Sequence, residues 1–140
     1  MELTSNITQT VNANNNIVFI TTRIPGNCSI MHTEGSGNIK IRGISNNQCR
    51  SRFRVFFSGN IAVPTGGTAG AISVAITIDG EPVQTTQMIV TPAAVNEYFN
   101  VASSVYIDVP TGCCSTAGVV NTSSAAISVQ NANIIVERVA

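Results

Sequence analysis

The segment Ala71-Ile72-Ser73-Val74-Ala75-Ile76-Thr77-Ile78-Asp79 repeats with a period of two: Ile72, Val74, Ile76 and Ile78 share one parity, and Ser73, Ala75, Thr77 and Asp79 the other. In a strand successive side chains point to opposite faces, whereas a helix would scatter these isoleucines around its circumference. The pattern predicts a strand with one buried face. Phe53, Val55 and Phe57 alternate in the same way with Arg52, Arg54 and Phe56, and Val105, Ile107 and Val109 with Ser104, Tyr106 and Asp108. Ile39 and Ile41 interleave with Lys40 and Arg42, which sets these basic side chains outward, on strands expected to neighbour one another.

Turn signals separate the runs: Pro25-Gly26-Asn27, Glu34-Gly35-Ser36-Gly37, Ser45-Asn46-Asn47, Pro64-Thr65-Gly66-Gly67, Asp79-Gly80, Pro92 and Pro110-Thr111-Gly112. Asp79-Gly80 is the clearest hairpin, because glycine tolerates the positive φ of a type I′ turn. The best candidate for a single helical turn is Pro92-Ala93-Ala94-Val95-Asn96-Glu97-Tyr98, with Thr91 as its cap. The spacing predicts about ten strands, enough for two packed sheets. The expected fold is all-β, an antiparallel β-sandwich of jelly-roll type. A length of 140 residues suits one domain, spanning 1–140, with residues 1–16 as a first strand or an N-terminal arm.

Charge is sparse but polarised. Lys40, Arg42, Arg50, Arg52 and Arg54 fall between Gly35 and Gly80, where Asp79 is the only acidic residue. From Asp79 onward, Asp79, Glu81, Glu97, Asp108 and Glu137 face the single base Arg138. Such polarity suits self-association or docking on an acidic protein surface. Aromatic residues make up 5% of the chain and the net charge is zero, which argues against a nucleic-acid partner. No apolar run approaches the ~18–20 residues of a membrane span, so no membrane partner is expected. The opening MELTSNITQT has neither the basic region nor the apolar core of a secretion signal.

Chemistry is harder to find. Zinc sites draw ligands in close pairs, and Cys28, His32, Cys49, Cys113 and Cys114 are not spaced that way. Residues four apart on a strand, as Cys28 and His32 are, lie ~13 Å apart, and adjacent cysteines on a strand point to opposite faces. No metal or other cofactor is expected. A bond between Cys113 and Cys114 is disfavoured by the ~3.8 Å separation of neighbouring Cα atoms, shorter than the usual ~4.4 Å minimum for a disulfide. That leaves either reduced thiols or bridges in which Cys113 and Cys114 pair separately with Cys28 and Cys49. Extended geometry sets one of the adjacent pair inward, to fill core, and the other outward, towards a neighbouring subunit. His32 is the only histidine, and no G-x-S-x-G or H-E-x-x-H motif accompanies it. Thr65-Gly66-Gly67-Thr68-Ala69-Gly70 lacks the Lys-Ser/Thr of a phosphate loop. No nucleophile, acid and base converge, so no enzyme is expected.

Ser58-Gly59-Asn60-Ile61-Ala62-Val63-Pro64, the run Ile76-Thr77-Ile78-Asp79-Gly80-Glu81-Pro82-Val83, Val90-Thr91-Pro92-Ala93-Ala94-Val95, Gly112-Cys113-Cys114 and the tail from Ile127 to Ala140 resemble small proteins encoded near capsid genes in tailed phages and prophages of gut Firmicutes. The pattern is also similar to the trimeric jelly roll of the C1q and tumour-necrosis-factor type. The resemblance implies a structural virion protein, a homotrimer that decorates or cements the head shell, assembled in the host bacterial cytoplasm and resident on the capsid surface. It brings no catalytic residues. On this reading buried strand faces build the sandwich, a further apolar surface seals the trimer, and a basic face of Lys40, Arg42, Arg50, Arg52 and Arg54 meets the major capsid protein. Two other readings fit the same pattern: a surface adhesin or exosporium-like binding module, and a self-assembling capsid-building subunit.

Overall fold

Alternation around Phe53, Val55 and Phe57 extends into a 13-residue strand, Arg50–Ala62, whose odd-numbered side chains from Ser51 to Ile61 are buried. The computed structural model describes residues 1–44 and 49–140. The turn expected at Ser45-Asn46-Asn47 lies outside the described residues.

In chain order the strands are β1 (Glu2–Ser5), β2 (Gln9–Val11), β3 (Thr21–Ile24), β4 (Ile30–His32), β5 (Ile39–Arg42), β6 (Arg50–Ala62), β7 (Ile72–Ile78), β8 (Glu81–Pro82), β9 (Met88–Val90), β10 (Phe99–Pro110), β11 (Cys114–Asn121) and β12 (Ile127–Arg138). They form two six-stranded antiparallel sheets. The first runs β10-β6-β12-β1-β3, with β2 also on β12; the second runs β4-β5-β11-β7-β8, with β9 also on β7. From β5 to β7 and from β9 to β12 the chain passes back and forth between the sheets, and pairings such as β1 with β12 and β6 with β10 span long stretches of sequence, as in a jelly roll.

The inner faces share one apolar cluster, with Phe53, Val55, Phe57, Ile134 and Val136 from one sheet against Ile39, Ile41, Val74, Ile76 and Val119 from the other. Burying each such side chain contributes roughly 1.5–3 kcal/mol. One strand must change parity to keep its apolar residues inward. Ile127 and Val129 face the core before residue 130, and Ala132, Ile134 and Val136 after it. A bulge between Gln130 and Asn133 makes the switch, with Asn131 at φ 54°.

Asp79 and Gly80 both take positive φ, 54° and 84°, between β7 and β8, as the hairpin reading requires. Two local expectations are corrected. Strand β7 is buried on both faces, because Ser73, Ala75 and Thr77 are short, and Gln87 reaches over to the Ser73 hydroxyl. The segment 92–98 is not a helical turn. Asn96 adopts φ 58°, and its backbone N–H donates to the Val63 carbonyl at 2.7 Å while its amide donates to Thr65 Oγ1 at 2.8 Å. Those bonds hold it to the loop after β6 in place of its own preceding turn. The one short helix among the described residues is a 3-10 turn at Gln84–Thr86, where Thr86 Oγ1 accepts from the Ile76 N–H.

Candidate functional site

The outward face of β10, β6, β12 and β1 carries ion pairs, exposed Tyr106 and the partly exposed Phe56 and Ile135. Register sets them in rows: Tyr106, Arg54 and Glu137 form one, and Ser104, Phe56, Ile135 and Glu2 the next. Beyond them lie Ala102, Ser58, Asn133 and Thr4 on one side, and Asp108 with Arg52 on the other.

The arginines of β6 are engaged within this face. Arg52 donates through Nε to Asp108 Oδ1 at 2.7 Å and through Nη2 to Oδ2 at 3.0 Å. Arg50 approaches the same carboxylate at 3.2 Å, and Arg54 reaches Glu137 at 3.2 Å. The hydrogen bonds from Arg52 hold the Asp108 carboxyl below the usual carboxylate range, and the same pairing raises the Arg52 guanidinium. Glu2 is held low first by a hydrogen bond from Asn133 and then by Arg23.

Between these ion pairs lies apolar surface. Phe56 and Ile135 are half-buried neighbours on adjacent strands, with the Arg54 guanidinium carbon 5.6 Å from the Phe56 ring centre. Tyr106, in the adjoining row, is 63% exposed. A sheet face with an apolar middle and paired charges around it can pack against protein without leaving unpaired charge behind.

The five basic residues do not make one face. Arg50, Arg52 and Arg54 lie on β6 in the first sheet, whereas Lys40 and Arg42 lie on β5 in the second. The expectation of neighbouring strands fails because β5 and β6 belong to different sheets. Lys40 and Arg42 are exposed on the opposite outer surface, and among the described residues neither joins an ion pair.

All four cysteines are free and exposed. Neither Cys113 nor Cys114 fills core, because both precede the first inward position of β11, Ser115. They nevertheless gather at one end of the sandwich. Cys28 occupies the turn before β4, Cys49 adjoins the start of β6, and Cys113 and Cys114 follow the turn after β10. Gly43 links these segments: its N–H donates to the Cys113 carbonyl at 2.9 Å, and its carbonyl accepts from Gly112 at 3.1 Å. His32 lies on β4 with Nε2 2.9 Å from the Ser36 carbonyl. Among the described residues no group of three His, Cys, Asp or Glu side chains could hold a metal ion. Among them, too, no helix is long and apolar enough to cross a membrane.

Reading the sequence missed Asp108 and Glu137 as partners of β6, since both come from strands distant in the chain. It also passed over Phe56 and Ile135, although each carried a signal as an apolar residue at the outward parity of an otherwise alternating strand.

No protein-family model matches the chain, and no curated protein matches it. Solved structures do. The fold is similar to the globular domain of zebrafish complement 1qA protein, with TM-score 0.53 and 9% identity over 96% of this chain and 93% of that one. It is similar to the PRD1 vertex protein P5, with TM-score 0.51 and 11% identity over 99% of this chain and 96% of that one. A looser likeness, TM-score 0.43 and 13% identity over 95% of this chain and 79% of that one, is to the C-terminal domain of EclA, described as a sugar-binding protein. The feature shared with the first two is the jelly-roll fold.

Proposed function

We propose that this chain is a structural virion protein, a homotrimeric decoration protein on the head shell of a tailed phage. The observation that carries the proposal is the half-buried pair Phe56 and Ile135 beside exposed Tyr106, on an outward sheet face whose arginines are already paired. Apolar area in the middle of a sheet face is stabilised when a second copy covers it. Similarity of fold to a protein described as a vertex protein supports a place in a shell.

With Arg50, Arg52 and Arg54 turned towards neighbouring copies, Lys40 and Arg42 on the far sheet are the cations left to meet the major capsid protein. Two exposed cations steer binding and make it sensitive to salt.

The test has two stages. Native mass measurement of the purified protein should give a trimer, and the trimer should bind head shells from which the protein has been omitted. Lys40→Glu with Arg42→Glu should keep the trimer and lower shell occupancy at low salt. A monomer would overturn the trimer. Unchanged occupancy of the double variant would remove these two residues from the contact, and closed shells from the purified chain alone would make it a capsid-building subunit.

A further inference from the structure

Free cysteine is among the residue types most often buried, yet all four here are exposed and share one end of the molecule. Their reach within one chain is unequal. Cys28 is in the turn closed by the Ile30 N–H on the Asn27 carbonyl, 3.2 Å, and the next residue, Ser29, accepts from the Arg42 N–H at 2.8 Å. Arg42 in turn stands opposite Cys114. Strand β5 therefore separates Cys28 from Cys113 and Cys114, and two strand spacings, about 9.5 Å, exceed the ~7 Å Cα separation that a disulfide can span. Cys49 precedes β6 in the other sheet, where its carbonyl accepts from the Thr111 N–H at 3.0 Å, on the Cys113 side of the end. Cys28 is thus free and set apart by β5 from Cys113 and Cys114.

We propose that this end of the sandwich is a redox-sensitive junction between two copies of the chain, closed by a disulfide from Cys28 to a cysteine of the second copy. The charges around it suit a self-complementary contact. Arg42 adjoins the thiols, and the β7–β8 hairpin brings exposed Asp79 and Glu81 to the same end, where the Asp79 N–H bonds the Thr116 carbonyl at 2.8 Å. A two-fold pairing of these ends sets basic residues of one copy against acidic residues of the other.

The bond forms by exchange with a disulfide oxidant such as oxidised glutathione. The Cys28 thiolate attacks one glutathione sulfur and releases the other glutathione as a thiolate. A cysteine thiolate of the second copy then attacks the Cys28 sulfur of the mixed disulfide and releases the second glutathione. Two protein thiols are oxidised to one disulfide, one glutathione disulfide is reduced to two thiols, and the two protons pass to the departing thiolates.

Purified protein treated with oxidised glutathione, run on a non-reducing gel and mapped by mass spectrometry, tests the junction. Covalent dimers should form, contain Cys28 in the linking peptide, revert with dithiothreitol and disappear in Cys28→Ser. Because Cys28 is exposed, that variant should melt as the parent does. A control carries Ala69→Cys in the Cys28→Ser background, placing an exposed thiol in the loop between β6 and β7 at the opposite end. At least five-fold less cross-link from the control supports the junction. Equal yield from the control, undiminished dimers in Cys28→Ser, or thiols recovered only as glutathione adducts or bridges within one chain would overturn it.

Discussion

Arg52 and Asp108 face each other across β6 and β10 with two nitrogens on two carboxylate oxygens, at 2.7 and 3.0 Å. The pairing orients both side chains on the outer sheet face and removes a free carboxylate from beside Tyr106.

The pair leaves a signature in acid. Asp108 is depressed by Arg52, and Glu2 by Asn133 and Arg23, so the unfolded chain takes up protons before the folded one does. Their stabilisation is fully present above about pH 4–4.5, the ordinary carboxylate range, and is lost as pH falls through the depressed folded values. A double variant, Glu2→Gln with Asp108→Asn, should therefore lose less melting temperature than the parent between pH 5 and pH 3. Parallel melting curves would show that these ion pairs contribute nothing measurable.

Gly43 should tolerate no side chain. A Cβ there would lie 2.2 Å from the Pro110 carbonyl oxygen and 2.8 Å from that of Val109, both backbone atoms. Gly43→Ala must push the β10–β11 turn away and break the two hydrogen bonds between Gly43 and that turn. Overpacking of this kind costs roughly 1–3 kcal/mol, which denaturant titration would read as a lower midpoint at unchanged slope.

What the sequence made legible was the local period. Ile72 to Ile78, Phe53 to Phe57 and Val105 to Val109 all became strands with the expected inward residues, because a two-residue period depends only on chain neighbours. What it hid was pairing. Phe53 lies opposite Arg138, and Arg54 opposite Glu137, across more than eighty residues of chain. No local pattern assigns Lys40 and Arg52 to opposite sheets either, since that depends on the distant strands that β5 and β6 pair with. The candidate face was half visible: Phe56 and Ile135 broke the alternation, but only the register made them neighbours.

Asn131 tests the bulge that keeps Ile134 and Val136 inward. At φ 54° an asparagine is tolerated and a β-branched residue is not. Asn131→Gly should be close to neutral, whereas Asn131→Val should cost about 1–2 kcal/mol. Equal stability of the two variants would mean that β12 can keep its register without the left-handed residue.

Phe56 and Phe57 are adjacent in the chain and opposite in role, which gives the sharpest test of the outward face. Phe57 is fully buried opposite Ile134, so Phe57→Ala removes core and should lower stability by roughly 3–5 kcal/mol whatever the assembly state. Phe56 is half-buried on the outer side, with Ile135 beside it and Arg54 above its ring. Phe56→Ser should therefore leave the strand content of the chain intact by circular dichroism and convert the trimer to monomer in native mass measurement. Ile135→Ser should act in the same direction, and because the two side chains touch the same patch, the double variant should show less than the sum of the single effects. A Phe56→Ser protein that stays trimeric at micromolar concentration would place the seal between copies elsewhere. It would also leave half-buried Phe56 and Ile135, with exposed Tyr106, as a surface for a different protein.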